Sequence, residues 1–467
     1  MVMNKSLIKR MDDGHFKLVS IDLFSGPGGL CTGFKWAGIL PLIAVEWTDT
    51  TVETYSVIHN AEVLELTKCT QDDAGKRYIK KFMTESTQSL VIHGDINLVR
   101  NGMIKELLLT RYGIDSETEF VDVVSGGAPC ESFSIAGKRT EGDERDDLFS
   151  NILRISRAVK TKMILFENVK GMFSKARDGV KGAIFKDICN AFEDKNISPS
   201  YRLVSRNQKD ILLKACDYGV PQLRERLFLV AIRRDLDNID FAYPEKEYGP
   251  GRKYPYVTVG DAILDLEQVK MGQESTLYSP PKEYNNPNQE RFVKIMRGDY
   301  ENTKIHAKAP EYLIEKKLFS NNSVSAHKGP GHIERKQRLL ALIPERGSMK
   351  STYEQLSKEG NIDQYRNLFP KSIYGSRNRR LLDDEPSFTV TSHCLDEILH
   401  PYLNRAITPR EAARLQSFPD WYQFAGPYVV FHSSTVQDKY EQIGDAIPPL
   451  LAYALARQIV ECMCGLS

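Results

Sequence analysis

Eight cysteines in 467 residues are too few for a disulfide-stapled scaffold. Their scatter shows none of the paired C-x-x-C spacings of a zinc site, and the lone C-x-C at Cys462 and Cys464 does not make one, so no metal is expected. No apolar run approaches the roughly 20 residues that a bilayer span requires. The opening segment, MVMNKSLIKRMDDGH, lacks the apolar core of a secretion signal, so a cytoplasmic protein with no membrane partner is expected. An excess of one charge is also missing. The 63 Lys and Arg against 62 Asp and Glu leave a net charge of +1, which excludes a uniformly basic nucleic-acid binder but leaves room for a local basic cleft. No repeat or low-complexity tract is visible.

What the chain does have is alternation. Between residue 17 and about 245, short β-branched runs (KLVSIDLF, LIAVEW, SLVIHGDI, FVDVVSGG, KMILFENV, LFLVAIRR) alternate with helical stretches, which implies a mostly parallel sheet flanked by helices. From Phe241 onward the texture changes to more Pro, Asn, Lys and Tyr with little periodicity, and a second, irregular domain is expected there. Pro448 to Val460 reads as a helix with proline in its first turn, whose apolar face returns to the first domain. The expected division is therefore 1–245, 246–425 and 426–467. The polar stretch from Lys68 to Arg77 reads as a solvated insertion.

Ligands of an open α/β sheet collect at the carboxyl ends of its strands, and the unusual residues of this chain fall there. The first strand runs into Ser25-Gly26-Pro27-Gly28-Gly29, a turn that is not the G-x-G-x-x-G of dinucleotide sites. Glu46 ends the next strand about 20 residues on, where a ribose-binding acid belongs. Asp95 closes the strand of HGDI. A strand over Phe120 to Ser125 leads to Gly127-Ala128-Pro129-Cys130-Glu131-Ser132, which presents a thiol at a strand end. FENV (Phe166 to Val169) and QLRER (Gln222 to Arg226) follow two further runs.

In this order and at these intervals the blocks resemble the cytosine-C5 methyltransferases, which use S-adenosylmethionine to methylate carbon 5 of cytosine, usually in DNA. The likeness continues through RAITPREAARLQSFPD (Arg405 to Asp420) to QIGDAIPP (Gln442 to Pro449) and spans nearly the whole chain. It implies an α/β class: a Rossmann-like, mostly parallel methyltransferase domain carrying a smaller irregular target-recognition domain. It assigns Cys130 as the nucleophile that adds to carbon 6, Glu167 to nitrogen 3, Asn168 to orientation of the surrounding loop, Arg226 to the base oxygen, and Arg224 to loop support and phosphate contacts. S-adenosylmethionine is expected against Phe24, Gly26, Gly28, Gly29, Glu46 on the ribose, Trp47 on the adenine face, Asp95 on the adenine amino group, Ile96, Pro129, Leu148 and Asp445. The implied partner is double-stranded DNA with the target cytosine rotated out of the stack. A monomer, protecting DNA from a separately encoded cognate restriction endonuclease, completes what the resemblance implies.

Two residues depart from the family pattern. Glu131 stands where Gln usually follows Pro-Cys, and a carboxylate near phosphates is unfavourable; Asp445 stands where Asn is usual and lacks the amide's donor. Gly137-Lys138-Arg139 and Asp143, Arg145, Leu148 and Phe149 match the remainder of the loop after Cys130. In the second domain, Arg335-Lys336-Gln337-Arg338 suits phosphates, Arg377-Asn378-Arg379-Arg380 with Tyr374 suits base edges, and Ser387 to Ser392 resembles the threonine-containing element that closes the family's recognition domain. Two other readings share these blocks: a tRNA cytosine-5 methyltransferase, whose usual Pro-Cys-Gln and Cys-Phe-Thr elements are not evident here, and a catalytically silent DNA-binding module. A nicotinamide dehydrogenase leaves FENV and QLRER unexplained.

Overall fold

The computed structural model describes residues 16–118, 120–128, 148–177, 179–299, 305–430, 433 and 435–465. They form two compact units, one of residues 1–214, 225–245 and 451–467, the other of residues 215–224 and 246–450. The second unit thus takes in most of QLRER and runs to residue 450, beyond the 425 expected.

The first unit is built on β1 (Leu18–Leu23), α1 (Gly29–Ala37), β2 (Ile39–Glu46), α2 (Asp49–His59) and β3 (Glu62–Glu65). It continues with α3 (Asp73–Lys80), β4 (Leu90–His93), α4 (Asn101–Tyr112), β5 (Val123–Gly126), α5 (Phe149–Ala158) and β6 (Met163–Asn168). After α6 (Ala183–Phe192) come β7 (Tyr201–Leu203), β8 (Leu212–Lys214) and β9 (Glu225–Arg233). The strands form a nine-stranded sheet in the order β8-β9-β6-β5-β1-β2-β4-β3, with β7 also paired to β9. From β3 to β6 the pairing is parallel, and β9 runs antiparallel to β6. All six residues of β1 are buried, as helices covering both faces of a parallel sheet require. The fold is the α/β, Rossmann-like, mostly parallel class expected from the alternation.

Two details of this topology place the site. The order reverses at β1, with β2 on one side and β5 on the other, so the carboxyl ends of β1 and β5 flank the crevice where such sheets bind ligands. Because β9 is antiparallel, its first residues lie beside the last residues of β6: Leu227 is opposite Asn168 and Phe228 opposite Glu167. QLRER runs into the start of its strand, so its last arginine reaches the same sheet edge as motifs at the ends of theirs.

Local chemistry moves two expected boundaries. The strand expected from Phe120 begins at Val123, because Asp122 turns its carboxylate to the Val19 amide at 2.8 Å and the Lys162 ammonium at 2.7 Å. The polar insertion is partly helical: Asp72 caps α3 by accepting from the Gly75 amide at 2.8 Å.

The second unit has little regular sheet. Its described elements include β10 (Glu274–Leu277), α7 (Pro287–Arg297), β11 (Ser323–Lys328), α8 (Glu334–Leu342), α9 (Pro409–Leu415) and α10 (Lys439–Asp445). Helix α9 starts as its sequence dictates, with Pro409 in the first turn and a reciprocal cap between Thr408 and Glu411. The last helix, α11 (Pro449–Cys464), belongs to the first unit from Leu451 on. Among the described residues no helix is long and apolar enough to cross a membrane.

Candidate active site

The ends of β1 and β2 are tied together by one carboxylate. Glu46 Oε2 accepts from the Gly26 amide at 2.7 Å, while Oε1 accepts from the amides of Trp47 at 2.9 Å and Thr48 at 3.0 Å. A carboxylate has about four lone-pair sites, so capacity remains for ligand hydroxyls. Phe24 holds the turn at φ 57°, a conformation few non-glycine residues adopt. Gly28, at φ 97°, is required by space as well, since a Cβ there would stand 2.3 Å from the His59 ring. Gly29 opens α1. Next to this turn the Trp47 side chain is 52% exposed, which leaves a broad aromatic face at a strand end beside a carboxylate. Asp95, at the end of β4, accepts from the Asn97 amide at 2.9 Å, and Ile96 is buried in the main core. An aromatic face and two carboxylates at adjacent strand ends fit a nucleoside, so the residues present suit S-adenosylmethionine.

Beneath the turn lies a cluster that motif reading does not single out. Asp22, buried in β1, accepts from the Ser125 hydroxyl at 2.7 Å and the Cys31 thiol at 3.0 Å, and the Tyr55 hydroxyl donates to Cys31 Sγ at 3.3 Å. Burial raises the Asp22 carboxyl to about 6, against the pull of the bonds from Cys31 and Ser125. Burial likewise pushes the Cys31 thiol well above its ordinary value, and burial, reinforced by the charge of Lys35, holds the His59 ring well below its own. The signal in the sequence is an aspartate inside a mostly apolar strand.

At the other side of the crevice, Arg226 Nε meets Glu167 Oε1 at 3.0 Å, and both side chains are largely shielded, at 14% and 13% exposure. The carboxylate presses against the backbone leading out of β5, where a Cβ on Gly127 would stand 2.5 Å from Glu167 Oε2. Asn168 is buried: its Oδ1 accepts from the Val169 amide at 2.8 Å and its Nδ2 donates to the Ala128 carbonyl at 3.5 Å. The chain therefore leaves β5 beside the Glu167–Arg226 pair. Pro129, Cys130 and Glu131, the segment 137–139, and Asp143 and Arg145 lie outside the described residues. Leu148, at the mouth of α5, packs against the main core.

The other arginine of QLRER has a different job. Arg224 is fully buried in the second unit and donates to the carbonyls of Val390 at 2.8 Å, Gly444 at 2.8 Å and Ala446 at 3.1 Å. It braces irregular backbone, and the phosphate contacts expected of it are closed to a buried group. Gln222 works with it, accepting from the Val390 amide and donating to the Leu415 carbonyl. The same correction applies to Arg380, buried with donors on the carbonyls of Ile343, Leu340, His400 and Leu403, and unable to read a base edge. Arg335, Arg338, Arg377 and Tyr374 are exposed. Asp445, also exposed, accepts from Gln437 Nε2 at 3.1 Å in the second unit.

Known proteins bear on this arrangement in three ways. A type II methyltransferase, M.DdeI of Desulfomicrobium norvegicum, is 29% identical over 94% of this chain and 88% of its own length. A second, M.XorII of Xanthomonas oryzae pv. oryzae, is 29% identical over 95% of this chain and 85% of its own. A solved prophage-encoded chain from E. coli, provisionally named a DNA modification methyltransferase, shares the fold at a TM-score of 0.64 and 23% identity, covering 96% of this chain and 100% of its own. Residues 67–461 match the family described as C-5 cytosine-specific DNA methylase. The chain belongs to that family and is a DNA (cytosine-5-)-methyltransferase.

Proposed function

We infer that the protein transfers a methyl group from S-adenosylmethionine to carbon 5 of a cytosine rotated out of double-stranded DNA, through a transient bond from Cys130 to carbon 6. The observation that carries this reading is the Glu167–Arg226 pair at 3.0 Å, set against the backbone from which the Pro-Cys segment departs. Carbon 5 of cytosine is a poor nucleophile. Addition of the Cys130 thiolate to carbon 6 pushes electron density through the ring toward nitrogen 3, where Glu167 supplies a proton and Arg226 stabilises charge at the base oxygen. Asn168 fixes the approach of the two loops. When bound, S-adenosylmethionine supplies an electrophilic methyl on a sulfonium. The sulfur–methyl bond would break toward the sulfur and leave a neutral thioether, and loss of the carbon-5 proton would then return the electrons that expel the Cys130 thiolate. Glu46, Trp47 and Asp95 hold the ribose, adenine face and adenine amino group, with Phe24, Gly26, Gly28, Gly29, Ile96, Pro129 and Leu148 completing the pocket.

The second unit serves as the target-recognition domain, with Arg335, Arg338, Arg377 and Tyr374 as its DNA contacts. Their exposure supports that use. Similarity to type II methyltransferases supports a protective role beside a restriction endonuclease encoded separately; the protein acts in the cytoplasm as a monomer. The test is incubation with labelled S-adenosylmethionine and either duplex DNA or tRNA. Label is expected in 5-methylcytosine of DNA and is lost in Cys130→Ser, which still binds the cofactor. Turnover by Cys130→Ser overturns the nucleophile, and label on tRNA alone overturns the substrate.

A further inference from the structure

We propose that His93 is a positioning residue for the cofactor: it latches the peptide that carries Trp47 and so sets the plane on which the adenine stacks. The proposal rests on the reading of Trp47 as the adenine platform.

His93 is the last residue of β4, a strand held between two others. In the sheet register it lies opposite Glu46 of β2 on one side and Glu65 of β3 on the other. Its ring reaches both neighbours. Nδ1 is 2.9 Å from Glu65 Oε2, and Nε2 is 3.2 Å from the Trp47 carbonyl oxygen and 3.1 Å from Asp49 Oδ1. Each ring nitrogen thus faces an oxygen acceptor, so either neutral tautomer donates to one side and the protonated ring donates to both. The backbone seconds the arrangement, because the Gly94 amide donates to the Glu46 carbonyl at 2.9 Å.

The latch closes on the segment that needs it. Trp47 is an exposed residue between the end of β2 and Thr48, the residue preceding α2. Its amide is held by Glu46 and its carbonyl faces His93, so both ends of the half-exposed Trp47 residue are fixed. An aromatic side chain binds a planar ligand well only if its face is set before the ligand arrives, since otherwise the ordering cost is met from the binding energy. Half-exposed charge clusters contribute little to stability, so the value of this one lies in the orientation it imposes. Glu65 fixes the ring from the far side, and Asp49, at the first position of α2, anchors the exit of the turn.

A double-mutant cycle on cofactor binding tests this, with S-adenosylmethionine titrated calorimetrically into the full chain. His93→Ala is expected to weaken binding about five- to tenfold, the scale of one oriented hydrogen bond, and to raise the cofactor KM more than it lowers kcat. His93→Gln, which keeps one donor, is expected to recover part of the loss. In a Trp47→Ala background the further change His93→Ala is expected to have almost no effect, because the platform it orients is gone. Should His93→Ala not fold, His93→Gln carries the cycle. If Trp47→Ala weakens binding and the His93 variants do not, the latch is refuted while Trp47 keeps its role. If the two losses simply multiply, His93 acts by another route and the latch is again refuted. If Trp47→Ala itself leaves affinity unchanged, the platform reading and the latch fall together.

Discussion

The two units of the protein each bury a carboxylate, Asp22 in the first and Glu411 in the second, and the two are held in opposite ways. In the first, a broad apolar core fills both faces of the sheet, and Asp22, set deep beside the site, accepts from Cys31 and Ser125; burial raises its carboxyl to about 6. In the second, buried apolar side chains such as Phe292, Met296, Leu415 and Phe418 are joined by buried ion pairs. Arg414 reaches Asp420 at 2.7 Å and Asp265 at 3.1 Å, Arg297 meets Asp420 at 2.9 Å, and Arg405 meets Glu411 at 2.7 Å. Burial raises the Glu411 carboxyl, but Arg405, with its hydrogen bonds, outweighs that and draws it down to about 2. The reason lies in the backbone. A sheet satisfies its own carbonyls, whereas irregular chain leaves them to side chains, and Arg224, Arg380 and Arg410 each donate to several. Buried arginine therefore braces irregular backbone in the second unit, whereas Arg226 in the first pairs with Glu167.

The contrast breaks most visibly at Asp420. Asp420→Ala leaves Arg414 and Arg297 buried with part of their compensation gone, and is expected to destabilise by about 3–5 kcal/mol in denaturant unfolding. Glu167→Gln is the converse case. Methyl transfer should fall by about 10²–10⁴-fold, as for loss of a general acid, while the melting temperature moves little because the pair sits at the edge of the core. A comparable activity loss with a large drop in melting temperature would make the pair a brace like the others.

Much of this was legible in the sequence. The runs at Leu18–Leu23 and Met163–Asn168 are mostly apolar, as strands buried on both faces are, and the glycine turn and FENV fall at the strand ends where α/β sheets bind ligands. The direction of β9 was not legible, because parallel and antiparallel strands share one composition. Arg224 and Arg226 look equivalent on paper; they part because one lies in irregular chain beside Val390 and Gly444 and the other at the start of a strand paired with β6. The strand Glu62–Glu65 is hidden for a related reason, since carboxylates at both ends leave only Val63 and Leu64 as an apolar run, while its pairing to β4 supplies the structure.

The smallest expected effect is on pH dependence. The folded-state carboxyl of Asp22 at about 6 lies above its ordinary 3.8, so the folded protein holds that proton more tightly and stability from this group falls as pH rises from about 4 to 6. The cost is up to about 3 kcal/mol, and Asp22→Asn should remove it. Glu411 has the opposite sign: its stabilisation is present above about 4.5 and is lost as pH falls toward 2. Melting curves of wild type against Asp22→Asn between pH 4 and 7 should diverge upward in favour of the variant, and parallel curves would remove the contrast between the units.

The account stands on a bond between Cys130 and the pyrimidine. Duplex DNA carrying 5-fluorocytosine at the target position blocks the final proton loss, so incubation with the protein and S-adenosylmethionine should leave a stable conjugate that peptide mass spectrometry maps to Cys130. Active enzyme that forms no such conjugate, or forms it at another residue, would contradict the account.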